Sequence, residues 1–200
     1  QGHFGYPYKQ QPYHEAVVGY LQRNFQWAIN PEWVQFSTGV YASMQPVIEA
    51  LSEAGDEVIF QPPVHHIFAE LISANQRVAV ANPLLFDGET YRFDFDQLEQ
   101  VITAKTRILL LCNPHNPVGR VWTPEELGRL HDICSRHAIR VVSDEVYNGL
   151  LYEGVRFTPM ASLSASASLN TVTLLSASKT FNLTGLKHSL MVTENEAIRQ

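Results

Sequence analysis

The chain has 200 residues, 45% of them hydrophobic and 17% charged, enough to bury the core of one large domain or of two smaller ones. Its formal net charge of -6 gives no electrostatic reason to expect nucleic acid as a partner, and no apolar run approaches the roughly 20 residues that span a bilayer. Cys112 and Cys134 both lie in apolar patterns and read as reduced core residues of a cytoplasmic protein, with no disulfide framework and no signal peptide.

In chain order, Val17, Val18, Leu21 and Phe25 recur at helical spacing and predict a helix from about Tyr13 to Trp27. VQF at 34–36 runs through Ser37-Thr38-Gly39 into a second helix, which passes Ile48 and Leu51 towards Gly55, a suitable C-cap. EVIF at 57–60 predicts a strand. Ile67, Phe68, Leu71 and Ile72 share one helical face, and RVAVANPL at 77–84 predicts another strand. Asp96 is placed to cap a helix carrying Leu98, Val101 and Ile102. RILLLC at 107–112 is a near-continuous apolar strand. Thr123-Pro124-Glu125-Glu126 starts a helix: threonine at the N-cap, proline at the first helical position, and Glu126 placed to close a capping box. Leu127, Leu130, Ile133 and Cys134 then face one side. IRVVS (139–143), TVTLL (171–175) and LKHSLMVT (186–193) complete the strand set, and ASLSASASLN (161–170) reads as a small-residue connection.

Strands that are apolar on both faces and alternate with helices predict an α/β fold, a three-layer α/β/α arrangement around a mostly parallel sheet. Ligands of such sheets bind beyond the carboxyl ends of the strands. Three of those ends carry unusual polar groups: NPHNPVGRVW (113–122), SDEVYNGLLY (143–152) and SASKTFNLTG (176–185). A lysine among small and hydroxyl residues, just past a buried strand, is not a surface lysine by pattern. Taken singly, the other positions also have plainer readings. Asp144 reads as a turn or helix cap, Asn116-Pro117 as a turn, Ser37-Thr38-Gly39 as a strand-to-helix turn, and His65 as a surface residue at a helix start.

Together and in this order, the three segments resemble the fold-type I pyridoxal phosphate (PLP) enzymes of the aspartate aminotransferase superfamily. They look closest to its MalY/PatB-like cystathionine β-lyase (C–S lyase) branch; GDEVIFQPPV, ANPL and RFTPMASLS add to the likeness. The resemblance implies that Lys179 holds the cofactor as a Schiff base and, once displaced by substrate, takes the Cα proton. It implies that Asp144 keeps the pyridine nitrogen protonated, since an opposite charge favours the charged form. Asn116 and Tyr147 match the pair that hydrogen-bonds the cofactor's 3'-oxygen. Ser176, with Ser178 and the backbone N–H groups of Val40 and Tyr41, matches the phosphate site. His65 stands where the family puts an aromatic that stacks on the pyridine ring. Tyr6 resembles a residue that reaches the neighbouring subunit's phosphate in a homodimer.

Two positions depart from the pattern. Many aminotransferases carry a phosphate-binding arginine where this chain has Lys187, and lysine offers a point charge rather than a fork. The lyase branch often has histidine where Tyr147 stands; tyrosine is the aminotransferase-like choice. The function implied first is a PLP-dependent C–S β-lyase that cleaves L-cystathionine or a related cysteine conjugate to a thiol, pyruvate and ammonia. A class I/II aminotransferase is the second reading. A PLP-binding or dimerisation core without turnover is the third, because family members hold the substrate-gripping arginine in a small C-terminal domain. On that likeness, residues 1–200 correspond to the large PLP-binding domain, without the small domain and part of the N-terminal arm. The expected partner is a small amino-acid substrate; no metal-ligand pattern, GxGxxG, P-loop or G-x-S-x-G elbow occurs.

Overall fold

The computed structural model describes residues 11–200. Its elements run α1 (Gln11–Phe25), β1 (Val34–Ser37), α2 (Val40–Leu51), β2 (Glu57–Phe60), α3 (Ile67–Ala74), β3 (Val78–Ala81), β4 (Leu85–Phe86), β5 (Tyr91–Arg92), α4 (Phe95–Val101), β6 (Thr106–Cys112), α5 (Pro124–Arg136), β7 (Arg140–Asp144), α6 (Ala165–Asn170), β8 (Thr171–Leu175), α7 (Ala177–Thr180), β9 (Ser189–Val192) and α8 (Glu196–Arg199). Seven strands form one sheet in the order β1-β9-β8-β7-β6-β2-β3. The run from β3 through β8 is parallel, whereas β9 is antiparallel to β8 and β1 is antiparallel to β9. The α/β class and the mostly parallel sheet are therefore as the sequence predicts.

The apolar run of β6 makes sense once both faces of the sheet are covered. Successive side chains of a strand point to opposite faces. Ile108, Leu110 and Cys112 pack with Met44 and Ile48 of α2 and Phe68, Leu71 and Ile72 of α3. Leu109 and Leu111 pack on the other side with Leu98 of α4 and Leu127, Leu130, Ile133 and Cys134 of α5. A third cluster seats Leu21 of α1 against Leu175, Leu190 and Val192 of β8 and β9. Both cysteines are free and buried. Among the described residues, no helix is long and apolar enough to cross a membrane, and no group of three or more His, Cys, Asp or Glu could hold a metal ion.

The capping box forms as expected: Thr123 Oγ1 accepts from Glu126 N at 3.2 Å, and Glu126 Oε2 accepts from Thr123 N at 2.8 Å. Other local expectations are corrected. Asp94, not Asp96, caps α4, with its carboxylate accepting from Gln97 N at 2.9 Å; Asp96 falls inside the first turn. Helix α2 stops at Leu51 with Ser52 extended, and Gly55 instead takes a left-handed φ of +86° in the turn before β2. The small-residue stretch folds into α6, because Ser164 Oγ accepts from Ala167 N at 3.1 Å and starts a helix. Helix α1 ends at Phe25, the third strand covers only Val78–Ala81 of its predicted run and the last only Ser189–Val192. The β4–β5 hairpin has no counterpart in the pattern reading.

The sheet's topology gathers the polar loops. Cys112 and Asp144 are register partners at the ends of β6 and β7, and Asp144 in turn pairs with Leu174 of β8. Because β9 is antiparallel, its start lies beside the end of β8, and Ser189 pairs with Ser37 at the end of β1. The segments after β1, β6, β7 and β8, and the one before β9, thus meet on a single edge.

Candidate functional site

A cleft of about 400 Å³ opens on that edge. Asn116, Asp144, Tyr147, Ser176, Ser178, Lys179, Lys187, Val40, Tyr41 and His65 all line it. Tyr6 lies outside the described residues.

Asp144 is the last residue of β7 and is buried. Burial pushes its carboxyl up to about 7, even though the N–H of Val146 and the charge of Lys179 both pull it down. The Val146 N–H donates to Oδ1 at 3.2 Å. A desolvated carboxylate with so little compensation is a site for a cation or a strong N–H donor.

Lys179 sits on α7, a short helix that begins where β8 ends. Ser176 caps it, accepting from Ser178 N at 3.0 Å, and the Ser176 hydroxyl donates to the His188 carbonyl at 2.6 Å. Ser176 thereby ties α7 to the segment before β9. The Ser176 and Ser178 hydroxyls lie 2.7 Å apart and are hydrogen-bonded to each other, so the two side chains form one hydroxyl pair at the start of α7.

The loops after β6 and β7 meet across the cleft. Asn116 Nδ2 donates to the Tyr147 hydroxyl at 3.3 Å, and Lys179 Nζ lies 6.0 Å from the centroid of the Tyr147 ring. Burial first, and the acidic groups of Cys112 and Asp144 second, raise the Tyr147 phenol above its usual range and keep it protonated. His65 holds its own ring by accepting from Ile67 N at Nδ1 across 3.4 Å, and it stacks on His66 with centroids 4.5 Å apart.

An anion site adjoins these groups. Gly39 precedes α2 in a conformation of φ +145° and ψ 145°, one that essentially only glycine adopts. It brings no side-chain cap, so the first-turn N–H groups at Val40 and Tyr41 remain available, at the positive end of the helix dipole. Ser189 Oγ accepts from Gly39 N at 3.0 Å and fixes this start. Lys187, left-handed at φ +51°, adds a positive charge to the lining.

Pattern reading missed Cys112. It lines the cleft, its thiol donates to Pro114 O at 3.4 Å, and its sulfur accepts from Asn116 N at 3.4 Å. Burial keeps it a thiol. Its apolar run marked it as core, which it also is; only the register with Asp144 shows that it ends at the site.

A family model described as aminotransferase class I and II matches residues 3–200. The chain belongs to that family. Within it, the chain is 40% identical to cystathionine beta-lyase PatB of Bacillus subtilis (strain 168), over 96% of this chain and 50% of that protein. It is 34% identical to kynurenine–oxoglutarate transaminase 3 of Rattus norvegicus, over 82% of this chain and 38% of that protein. Among solved structures, cystalysin from Treponema denticola, which contains a pyridoxal 5'-phosphate cofactor, superposes with a TM-score of 0.95 at 31% identity, over 98% of this chain and 50% of that one. The chain spans about half the length of the curated cystathionine beta-lyases it matches. The relatives of this chain thus include both a protein named as a cystathionine beta-lyase and one named as a transaminase.

Proposed function

We propose that the protein is a PLP-dependent C–S β-lyase acting on L-cystathionine or a related cysteine conjugate. The observation that carries this reading is that Lys179, Asp144 and the hydrogen-bonded pair Asn116–Tyr147 open onto one cleft. The residues fit the cofactor. The buried carboxylate of Asp144 suits a protonated ring nitrogen. Asn116 and Tyr147 offer donors to a ring oxygen. The bare α2 start, the Ser176 hydroxyl with Ser178 beside it, and Lys187 suit a phosphate. His65 offers a flat face to the ring.

Bound there, the cofactor would supply an electron sink for the pair left on Cα when its proton departs. The chain supplies the rest. Lys179 would hold the cofactor's aldehyde carbon, and its amine, when free, would be the base for the Cα proton. Asp144 favours the positively charged ring by its own negative charge. Asn116 and Tyr147 fix the ring's orientation, which limits misaligned encounters. A neighbouring cleft of about 470 Å³ shares Asn116 and Tyr147 and is lined also by His115, Leu150, Leu151 and Tyr152, giving a place of mixed polarity for the substrate beyond sulfur. The relative named as a cystathionine beta-lyase supports the choice of reaction. The acting unit in this proposal is a cytoplasmic homodimer.

The second reading, a class I/II aminotransferase, is favoured by Tyr147 and by the likeness to a kynurenine transaminase. The full-length protein, loaded with PLP, separates the two. Release of pyruvate from L-cystathionine without any added keto acid is expected of the lyase. Amino-group transfer that starts only when a keto acid is added assigns the aminotransferase. Lys179→Ala abolishes either activity, and cofactor binding with neither activity leaves the chain a binding core.

A further inference from the structure

We propose that Tyr20, Gly149 and Thr180 form a clamp outside the cleft that sets the position of Lys179 relative to Tyr147; the proposal rests on the cofactor-holding role given to those two residues above. Gly149 lies two residues past Tyr147, and Thr180 directly follows Lys179. A Cβ added at Gly149 would stand 2.4 Å from Thr180 Cγ2 and 2.5 Å from its Oγ1. Gly149 is not in the left-handed region, unlike Gly39, Gly55, Gly88, Gly119 and Gly154. Its lack of a side chain therefore serves close approach, not backbone conformation. The loop bearing Tyr147 meets the helix bearing Lys179 at bare backbone.

Tyr20 of α1 joins the same two segments from the other side. Its hydroxyl donates to Asn148 Oδ1 at 3.0 Å, between Tyr147 and Gly149. Its ring lies edge-on to Phe181, two residues past Lys179, with centroids 6.4 Å apart. One side chain thus touches the neighbours of both cleft residues without lining the cofactor cleft itself. Separation of the loop from α7 is limited by Tyr20, and their approach is limited by Gly149 against Thr180. Between them they fix the 6.0 Å spacing of Lys179 Nζ from the Tyr147 ring. These are positioning residues: none lines the cofactor cleft, and Gly149, which borders the neighbouring cleft, acts through the space that its missing side chain leaves to Thr180.

The test uses the full-length protein loaded with PLP, and reads turnover, melting temperature and the pH midpoint of the bound cofactor's visible absorbance band. That midpoint reports the proton shared between the lysine nitrogen and the cofactor, so it responds to the surroundings of the amine and not to global stability. Gly149→Ala is expected to move the midpoint and to lower turnover on the order of 10²-fold, the cost of an ångström-scale misplacement. Thr180→Ala in the same chain is expected to restore most of both, because the nearest remaining side-chain atom, Cβ, stands 3.1 Å away. Tyr20→Phe, which removes one hydroxyl, is expected to move the midpoint by less. An unchanged midpoint in Gly149→Ala, or a defect that Thr180→Ala does not relieve, overturns the clamp. If Gly149→Ala fails to fold, Tyr20→Phe decides: no movement of the midpoint overturns it. A wild-type protein that shows no band with PLP defeats the cofactor reading instead.

Discussion

The side-chain amide of Asn116 donates to the hydroxyl of Tyr147 across 3.3 Å and joins the loop after β6 to the one after β7. Each residue therefore orients the other before it orients anything bound. Tyr147→Phe and Asn116→Ala are each expected to lower kcat/KM by roughly tenfold, the scale of one hydrogen bond to a polar partner. The double variant should lose less than the product of the two, because partners in one bond are not independent. A double-mutant cycle measured on the PLP-loaded protein checks this; strictly additive losses would separate the two roles.

Asp144 and Glu145 are consecutive buried carboxyls, and they make the cofactor-free fold sensitive to pH. Burial raises Asp144 from its ordinary 3.8 to about 7 and Glu145 from 4.5 to about 8. Glu145 is raised despite the bonds its Oε1 accepts from Ser143 Oγ at 2.8 Å and Met160 N at 3.0 Å. At pH values between the ordinary and raised positions, the folded chain keeps protons that the unfolded chain has released. Stability then falls as pH rises, and the loss is complete above about 7 for Asp144 and about 8 for Glu145. The cofactor-free protein should melt at a lower temperature above pH 8 than near the ordinary carboxyl range. Asp144→Asn should remove the part of the slope that ends near 7, and Glu145→Gln the part that ends near 8. Thermal melts across pH test this; a flat wild-type profile would remove the buried charges from the account.

The buried sheet was legible in the sequence wherever a strand is covered on both faces. RILLLC is a near-continuous apolar run because alternate residues enter two different cores, and TVTLL sends Val172 and Leu174 into one of them. The site residues Lys179, Asp144 and Asn116 were legible because each ends such a strand or lies within a few residues of its end, where topology forces polar loops together. Other features were set by tertiary contacts that leave no local pattern. Asp94 and Asp96 offer equivalent caps in sequence, and only the turn into α4 selects the first. The reversal of β9 that carries Lys187 to the cleft depends on pairing across the sheet with β1 and β8. The close approach of Gly149 to Thr180 joins positions thirty-one residues apart in sequence and has no periodic signal.

The start of α5 offers a stability test that should leave the site untouched. Glu126 closes the capping box and also accepts from Arg120 Nη2 at 2.6 Å through Oε1. Thr123→Ala removes one cap bond and is expected to cost about 1 kcal/mol. Glu126→Ala should cost more, because it also leaves the partly buried Arg120 guanidinium without its carboxylate. Urea unfolding gives both values, and PLP affinity should stay at the wild-type level in Thr123→Ala. Equal costs for the two variants would mean that the ion pair contributes nothing beyond the cap.

Lys187 combines a charge that suits phosphate with a backbone conformation that does not suit lysine. Its φ of +51° closes the turn at Thr184–Leu186, and its side chain lines the cleft beside the uncapped start of α2. A left-handed residue with a Cβ costs about 1–2 kcal/mol relative to a conformation it prefers, and glycine avoids that cost. Lys187→Gly should therefore hold or raise the melting temperature of the cofactor-free protein while weakening PLP binding roughly tenfold, the effect of losing one charge-assisted contact. Lys187→Ala should weaken PLP binding equally without the gain in stability. Lys187→Arg should tighten binding, since a guanidinium presents two N–H groups to a phosphate where an ammonium presents a point charge. Equilibrium dialysis of PLP, paired with thermal melts, resolves the two contributions. Wild-type affinity in Lys187→Gly would show that the phosphate is held by the α2 amides, Ser176 and Ser178 alone.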